Sequence, residues 1–200
     1  MRFCLVDRIL EVQHGKLIRA VKNLTLGEEY LADHFPTFPV MPGVLMLQTL
    51  IEAGAWLLRV TDSFQHSVIV LREAKHVKYG TFMEPSRRML ISTELIEQDK
   101  DIVTFKGKGE VNGNTTVSAR FSVSRSNLRD RNPALRKVDE RLIEHLRNLY
   151  TVLKGEPEGA ARGGWRAAGK EDPENGEKAE ASSPPIRHPP RATSPKDGKR

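Results

Sequence analysis

The sequence predicts an α+β fold in which an antiparallel sheet wraps a single long buried helix. Three observations carry this. From Pro42 to about Val60, apolar side chains (Val44, Leu45, Leu47, Leu50, Ile51, Ala55, Trp56, Leu57, Leu58) cover nearly every helical face. A helix that is apolar all round is a buried helix. Strand-like runs lie on both sides of it, and Asn112-Gly113 joins the last two as a hairpin turn. Many strands beside one helix that needs enclosing call for a sheet folded around it.

Taken in order, residues 3–14 hold β-branched and large apolar side chains without helical spacing, and His14-Gly15 marks a turn. Leu17 to Leu24 then alternates, so the two runs read as a hairpin. A proline-rich loop follows and leads into the central helix, whose first ten positions carry the polar side chains Gln48, Thr49 and Glu52. Strand-like runs occupy 67–79, 87–98, 101–111 and 115–125. The Arg72-Glu73-Ala74-Lys75-His76-Val77-Lys78 alternation predicts a half-exposed strand. Arg136 to Leu153 is amphipathic, with Val138, Leu142, Leu146 and Leu149 on one face, and is expected to lie on the sheet or at a partner surface. From Gly155 onward the chain is Gly, Pro, Ser, Ala and charge, with Trp165 and Ile186 as its large apolar residues. Such a segment buries too little to offset its ordering entropy, so disorder is expected. The expected division is therefore 1–128 for the α+β domain, 129–154 for an added helix and 155–200 for a tail.

The net charge of +6 sits mostly in residues 1–154. A mildly basic body suits an acidic protein partner. Nucleic acid is the competing partner for basic charge, but no basic run interleaved with aromatics supports it. Cys4 is the only cysteine, which excludes a disulfide framework or a cysteine-based zinc site within one chain. Met1-Arg2-Phe3-Cys4-Leu5-Val6-Asp7-Arg8 meets charge too soon for a secretory apolar region. No apolar run is expected to reach the length of a membrane helix, so a soluble cytoplasmic protein is anticipated.

The chemistry concentrates in His34-Phe35-Pro36-Thr37-Phe38-Pro39-Val40-Met41-Pro42-Gly43-Val44-Leu45. Pro36, Pro39 and Pro42 restrict the backbone around a titratable imidazole. A general base works only when held within hydrogen-bond reach of its proton. Pro42-Gly43 reads as a helix start. The N–H groups of a first helical turn have no partner inside the helix and suit an oxygen that becomes negative during a reaction.

This string resembles the signature of the β-hydroxyacyl-acyl-carrier-protein dehydratases of fatty-acid synthesis. Phe3 to Glu11 is similar to that family's opening strand and Gly15 to Thr25 to its second; Lys75 to Pro85 and Phe105 to Val111 match more loosely. The likeness covers roughly residues 1–125. It implies the hotdog fold, a dimer, acyl carrier protein as partner, and no metal or redox cofactor. It further implies a reaction in which His34 takes the C2 proton of a 3-hydroxyacyl thioester, N–H groups near Gly43 receive the enolate charge, and an acid fourteen residues after the histidine, supplied by the other subunit of the dimer, protonates the leaving hydroxyl. That position is Gln48. An amide donates a hydrogen bond but releases no proton at neutral pH. Thr37 and Phe38 also replace the small and polar residues usual there.

Three readings of Gln48 stay open. It polarises the hydroxyl or holds a water, giving a slower dehydratase. Or Glu52, one turn on along the same face, serves as the acid, its pKa raised by an apolar helix. Or dehydration is lost and acyl or carrier binding remains, with an active paralogue as partner in a heterodimer or higher oligomer. Against a role for either stands the simpler expectation that Gln48 and Glu52 hydrogen-bond backbone groups near a subunit boundary. Thioester hydrolysis is a further alternative. Leu45, Met46, Ile51 and Phe82 are the candidates for lining an acyl tunnel, against the simpler role of core. Arg72, Lys75, Lys78, Arg87 and Arg88 are the candidates for carrier docking, against plain surface solvation. No nucleic acid and no membrane partner are expected.

Overall fold

The computed structural model describes residues 4–155. Of the expected tail at 155–200, all but Gly155 lies outside them. Six strands, β1 (Arg8–Gln13), β2 (Leu17–Asn23), β3 (Val68–Tyr79), β4 (Arg88–Gln98), β5 (Ile102–Val111) and β6 (Asn114–Ser126), form one sheet in the order β1-β2-β4-β5-β6-β3. All neighbours are antiparallel. The helix α1 (Gly43–Thr61) fills the sheet's concave face. This is the enclosed helix that its all-round apolarity requires. The turn between β5 and β6 has φ of 52° at Asn112 and 80° at Gly113, the left-handed pair that a two-residue hairpin needs.

Close approach of α1 to the sheet depends on small residues. A Cβ at Gly54 would come within 3.2 Å of the Phe121 ring, and one at Gly107 within 3.0 Å of Leu50. Phe105 and Phe121 face each other across β5 and β6 with ring centroids 5.5 Å apart and are fully buried beneath the helix. By length and composition α1 also satisfies the requirement for a bilayer-crossing helix, which corrects the expectation that no segment would reach it. Its apolarity follows from enclosure: Leu50, Ala53, Leu57 and Leu58 have no exposed area.

Two strands differ from their sequence patterns. The first run is a strand only from Arg8; residues 4–7 form an extended strap leading into it. β3 is largely exposed on both faces rather than alternately. It is the outer strand beside β6, with bulges at Leu71/Glu73 and Lys75/Lys78, and it leaves Val70 and Leu71 in solvent.

The amphipathic helix α2 (Arg136–Lys154) closes the far side of α1. Tyr150 packs between Trp56 and Phe64, with centroid separations of 6.2 and 5.8 Å. Leu146, Leu149 and Leu153 join the core, whereas Val138 is exposed. The base of α2 is tied by Asp139, which has no exposed area. Its carboxylate accepts from the Ser67 hydroxyl and from the N–H groups of Leu128 (3.0 Å) and Arg129 (2.9 Å). Burial raises its pKa, but those hydrogen bonds and the Arg129 charge outweigh burial and hold it below the usual carboxylate range.

Candidate active site

α1 runs between two ends of the sheet. At its C-terminal end Thr61 Oγ1 accepts from Gly15 N–H of the β1–β2 turn at 2.9 Å. At its N-terminal end Gly43 lies under the Tyr79 ring, where an added Cβ would sit 3.1 Å from ring carbon. Tyr79 closes β3, and the antiparallel register puts the end of β2, the start of β4 and the start of β6 at this same end.

The His34 loop arrives here. Upstream, the 3-10 turn Glu29–Leu31 buries Leu31 in the core. Downstream, Met41 N–H donates to Met83 O at 2.9 Å, and Val40 and Met41 are buried. Between these anchors the backbone makes one turn, Phe38 N–H to Phe35 O at 2.8 Å, and Phe38 meets Phe82 edge-on at 5.8 Å. Phe35 has φ of 49°, an outlier for a bulky residue, and more so before a proline. Strain of this kind persists where the surroundings over-determine the backbone, often at functional sites. The half-buried His34 ring stands edge-on to Phe35, with centroids 4.5 Å apart.

The start of α1 is open. Pro42 O accepts from Leu45 and Met46 N–H, and no side chain caps the helix. The Gly43 and Val44 N–H groups are therefore left to solvent or to a ligand. The macrodipole adds partial positive charge at the same point. Val44 is 69% exposed and Gln48, one turn further, is exposed too.

Glu52 faces elsewhere. Its carboxylate accepts from Leu5 N–H at 2.8 Å and from the Cys4 thiol at 3.7 Å, so it pins the N-terminal strap to α1. Burial raises its pKa against the pull of the Leu5 hydrogen bond, as an apolar helix leads one to expect. Burial and the adjacent Glu52 push the Cys4 thiol up to about 11. Arg59, on the same helix, was not singled out by sequence reasoning. It lies 5.2 Å over the Trp56 ring, and burial draws its pKa down to about 10 against the opposing charge of Glu52. The sequence signal was a lone cation in an otherwise apolar stretch.

The lining candidates separate into two groups. Met46 and Ile51 are buried in the core and Leu45 packs half-buried against it, whereas Phe82 is 66% exposed on the His34 loop's flank. The docking candidates also separate. Arg87, Arg88 and Lys78 lie at the His34 end of the sheet. Arg72 lies seven residues back from Tyr79 along β3, about 20 Å at the usual strand rise. Lys75 and Arg87 are engaged with Glu73 and Glu84 at 2.9 and 3.7 Å. The sequence reading passed over an open trough of 580 Å³ on the outer sheet face, lined by His76, Lys78, Lys106, Lys108 and Arg120. Its cations come from three strands, so only the register assembles them.

An antiparallel sheet wrapped around one long helix is a hotdog domain. The model of the FabA-like domain matches residues 1–120, and the chain belongs to this family. It is similar to the 3-hydroxyacyl-[acyl-carrier-protein] dehydratase FabZ of Albidiferax ferrireducens, 37% identical over 123 residues, covering 60% of this chain and 82% of the relative. The namesake from Magnetococcus marinus is 34% identical over 119 residues, 58% and 78% of the two chains. Among solved structures, the dehydratase heterocomplex ApeI:P from Xenorhabdus doucetiae shares the fold, with a TM-score of 0.54 at 14% identity, covering 66% of this chain and 89% of that one.

Proposed function

We propose that this chain is a hydro-lyase that reversibly dehydrates 3-hydroxyacyl groups on acyl carrier protein to trans-2-enoyl thioesters, in cytoplasmic fatty-acid or related acyl-chain synthesis. What supports this is membership of the FabA-like family together with a half-buried His34 on a loop that leads, nine residues on, into the uncapped N-terminus of α1. His34 takes the C2 proton, which is acidic because the thioester carbonyl accepts the charge. The Gly43 and Val44 N–H groups stabilise that oxygen as it becomes negative. Gln48 donates a hydrogen bond to the departing hydroxyl or to a water that protonates it. Since an amide gives up no proton, this step is slow relative to one with a carboxylic acid, by about 10²–10⁴. Glu52, engaged with Leu5 N–H, is the less suited acid.

The chain pairs with a second hotdog chain, like or unlike, along β3, whose open edge displays Val70 and Leu71. Lys78, Arg87 and Arg88, at the His34 end, receive the acidic carrier, with Arg72 and Lys75 further along β3. Leu45 and Phe82 border the acyl chain, and Met46 and Ile51 shape the space from behind.

The test is to incubate the pure protein with crotonyl carrier thioester and follow loss of the enoyl absorbance and release of thiol. Hydration without thiol release is expected, and Gln48→Glu is expected to accelerate it. Thiol release, or no hydration in either form, overturns the reading.

A further inference from the structure

We propose that Lys22 is a positioning residue for His34, acting through an ion network that fixes the upstream root of the catalytic loop. The inference rests on the dehydratase reading for its kinetic arm only.

Lys22 is 2% exposed on β2. Its ammonium lies 2.6 Å from Glu28 Oε1 and 3.4 Å from Asp7 Oδ1. A buried ammonium is costly unless it is paired on several sides, and a buried ion network is seldom the most stabilising filling for a site. What such a network adds is direction, and both carboxylates lie on segments that need it.

Glu28 works through side chain and main chain together. Its carboxylate holds Lys22 while its carbonyl accepts Leu31 N–H at 3.0 Å, closing the 3-10 turn that ends three residues before His34. Its charge, after burial, also raises the pKa of Tyr30 in the same turn. Asp7 works on the other side. Its second oxygen accepts Asn23 N–H at 2.5 Å, its own N–H donates to Val21 O at 2.8 Å, and two residues earlier Leu5 N–H donates to Glu52 on α1. The connected groups therefore run from α1 through the strap 4–7 and the Lys22 ammonium to the loop root. The helix that carries Gln48 and the loop that carries His34 are both referenced to Lys22.

The prolines and the Phe35–Phe38 turn shape the loop internally, but its angle to the sheet is set at its two ends. From Ala32 to Pro39 it makes one internal backbone hydrogen bond, and its residues are exposed or half-buried. The Met41–Met83 bond fixes only its downstream end. Rotation about the upstream root swings the imidazole relative to the start of α1, and displacements of this order cost about 10–100-fold in rate.

The experiment compares the full chain with the Asp7→Asn/Lys22→Met/Glu28→Gln variant, which removes all three charges together and strands none of them. Expected results are a melting temperature within a few degrees of the parent, kcat for crotonyl-carrier hydration down by about 10–100-fold, and KM changed by less than about twofold. Amide exchange at residues 28–38 should rise by about tenfold or more while that of β2 and α1 stays unchanged. In a His34→Ala background the same three changes should reduce the residual rate no further, because the network acts through that ring. Unchanged kcat with unchanged exchange, or a uniform rise in exchange across the sheet, overturns the proposal. If the triple variant does not fold, Glu28→Gln alone carries the same comparisons. If the parent does not hydrate the thioester, the dehydratase reading fails, and the exchange at 28–38 still decides whether Lys22 orders the loop.

Discussion

The two ends of α1 are finished in opposite ways. At the C-terminal end side chains tie the helix to its surroundings. Thr61 holds the β1–β2 turn, Asp62 takes the Arg125 guanidinium at 2.6 Å, and the Asp62 N–H bonds back to Leu58 O. Tyr150 then covers Trp56 and Phe64 with an added helix. At the N-terminal end no side chain caps the helix, Val44 and Gln48 are exposed, and the adjoining loop holds Phe35 at positive φ. Left-handed residues flank both ends, Ser63 (φ 53°) and Phe64 (φ 61°) after the helix and Phe35 before it; what differs is that side chains tie down one end while the other leaves its first N–H groups open.

The comparison predicts that changes at the two ends separate activity from stability. The largest effect is expected from His34→Ala, which should lower crotonyl-carrier hydration by about 10²–10⁴-fold and leave the melting temperature nearly unchanged, since the ring is half-buried in a loop. A parallel loss of stability would break the comparison. Trp56→Ala, at the closed end, should cost about 3–5 kcal/mol in denaturant unfolding, because the indole is 2% exposed between α1 and α2.

Asp139→Asn should cost about 1–3 kcal/mol and change the pH response. The folded pKa of Asp139 lies below its unfolded value, about 3.9. Its contribution is therefore complete above that value and is lost as pH falls through the folded pKa. The parent should lose stability steeply below about pH 4, and the Asn variant less steeply, by thermal melts from neutral to acid pH. The smallest effect should come from Thr61→Val, about 1 kcal/mol, through loss of the acceptor for Gly15 N–H. If Thr61→Val instead lowered kcat with no loss of stability, the division of labour along α1 would fail.

Much of the α+β architecture was legible because it rests on local pattern. The Asn112-Gly113 turn, the continuous apolar run of α1 and its start after Pro42 are properties of adjacent residues, and the structure has each where the sequence put it. The His34 loop and its family likeness were legible for the same reason. Glu52 was legible only in part: a carboxylate bonded to backbone was one of its expected roles, but that the backbone would be Leu5 N–H depends on the strap returning across α1. β3 was not legible as a mostly exposed strand, since exposure depends on which strand ends up at the edge.

By itself the sequence determined the helix to be enclosed, the strands around it, and the loop carrying one imidazole toward a helix start, because spacing and turn chemistry act over a few residues. Tertiary structure alone decided that Lys22 would be shared between Asp7 and Glu28, that Asp139 would gather three donors, and that cations from three strands would line one trough. Those outcomes depend on strand order and register, which bring together charges far apart in the chain and make their burial tolerable only as sets.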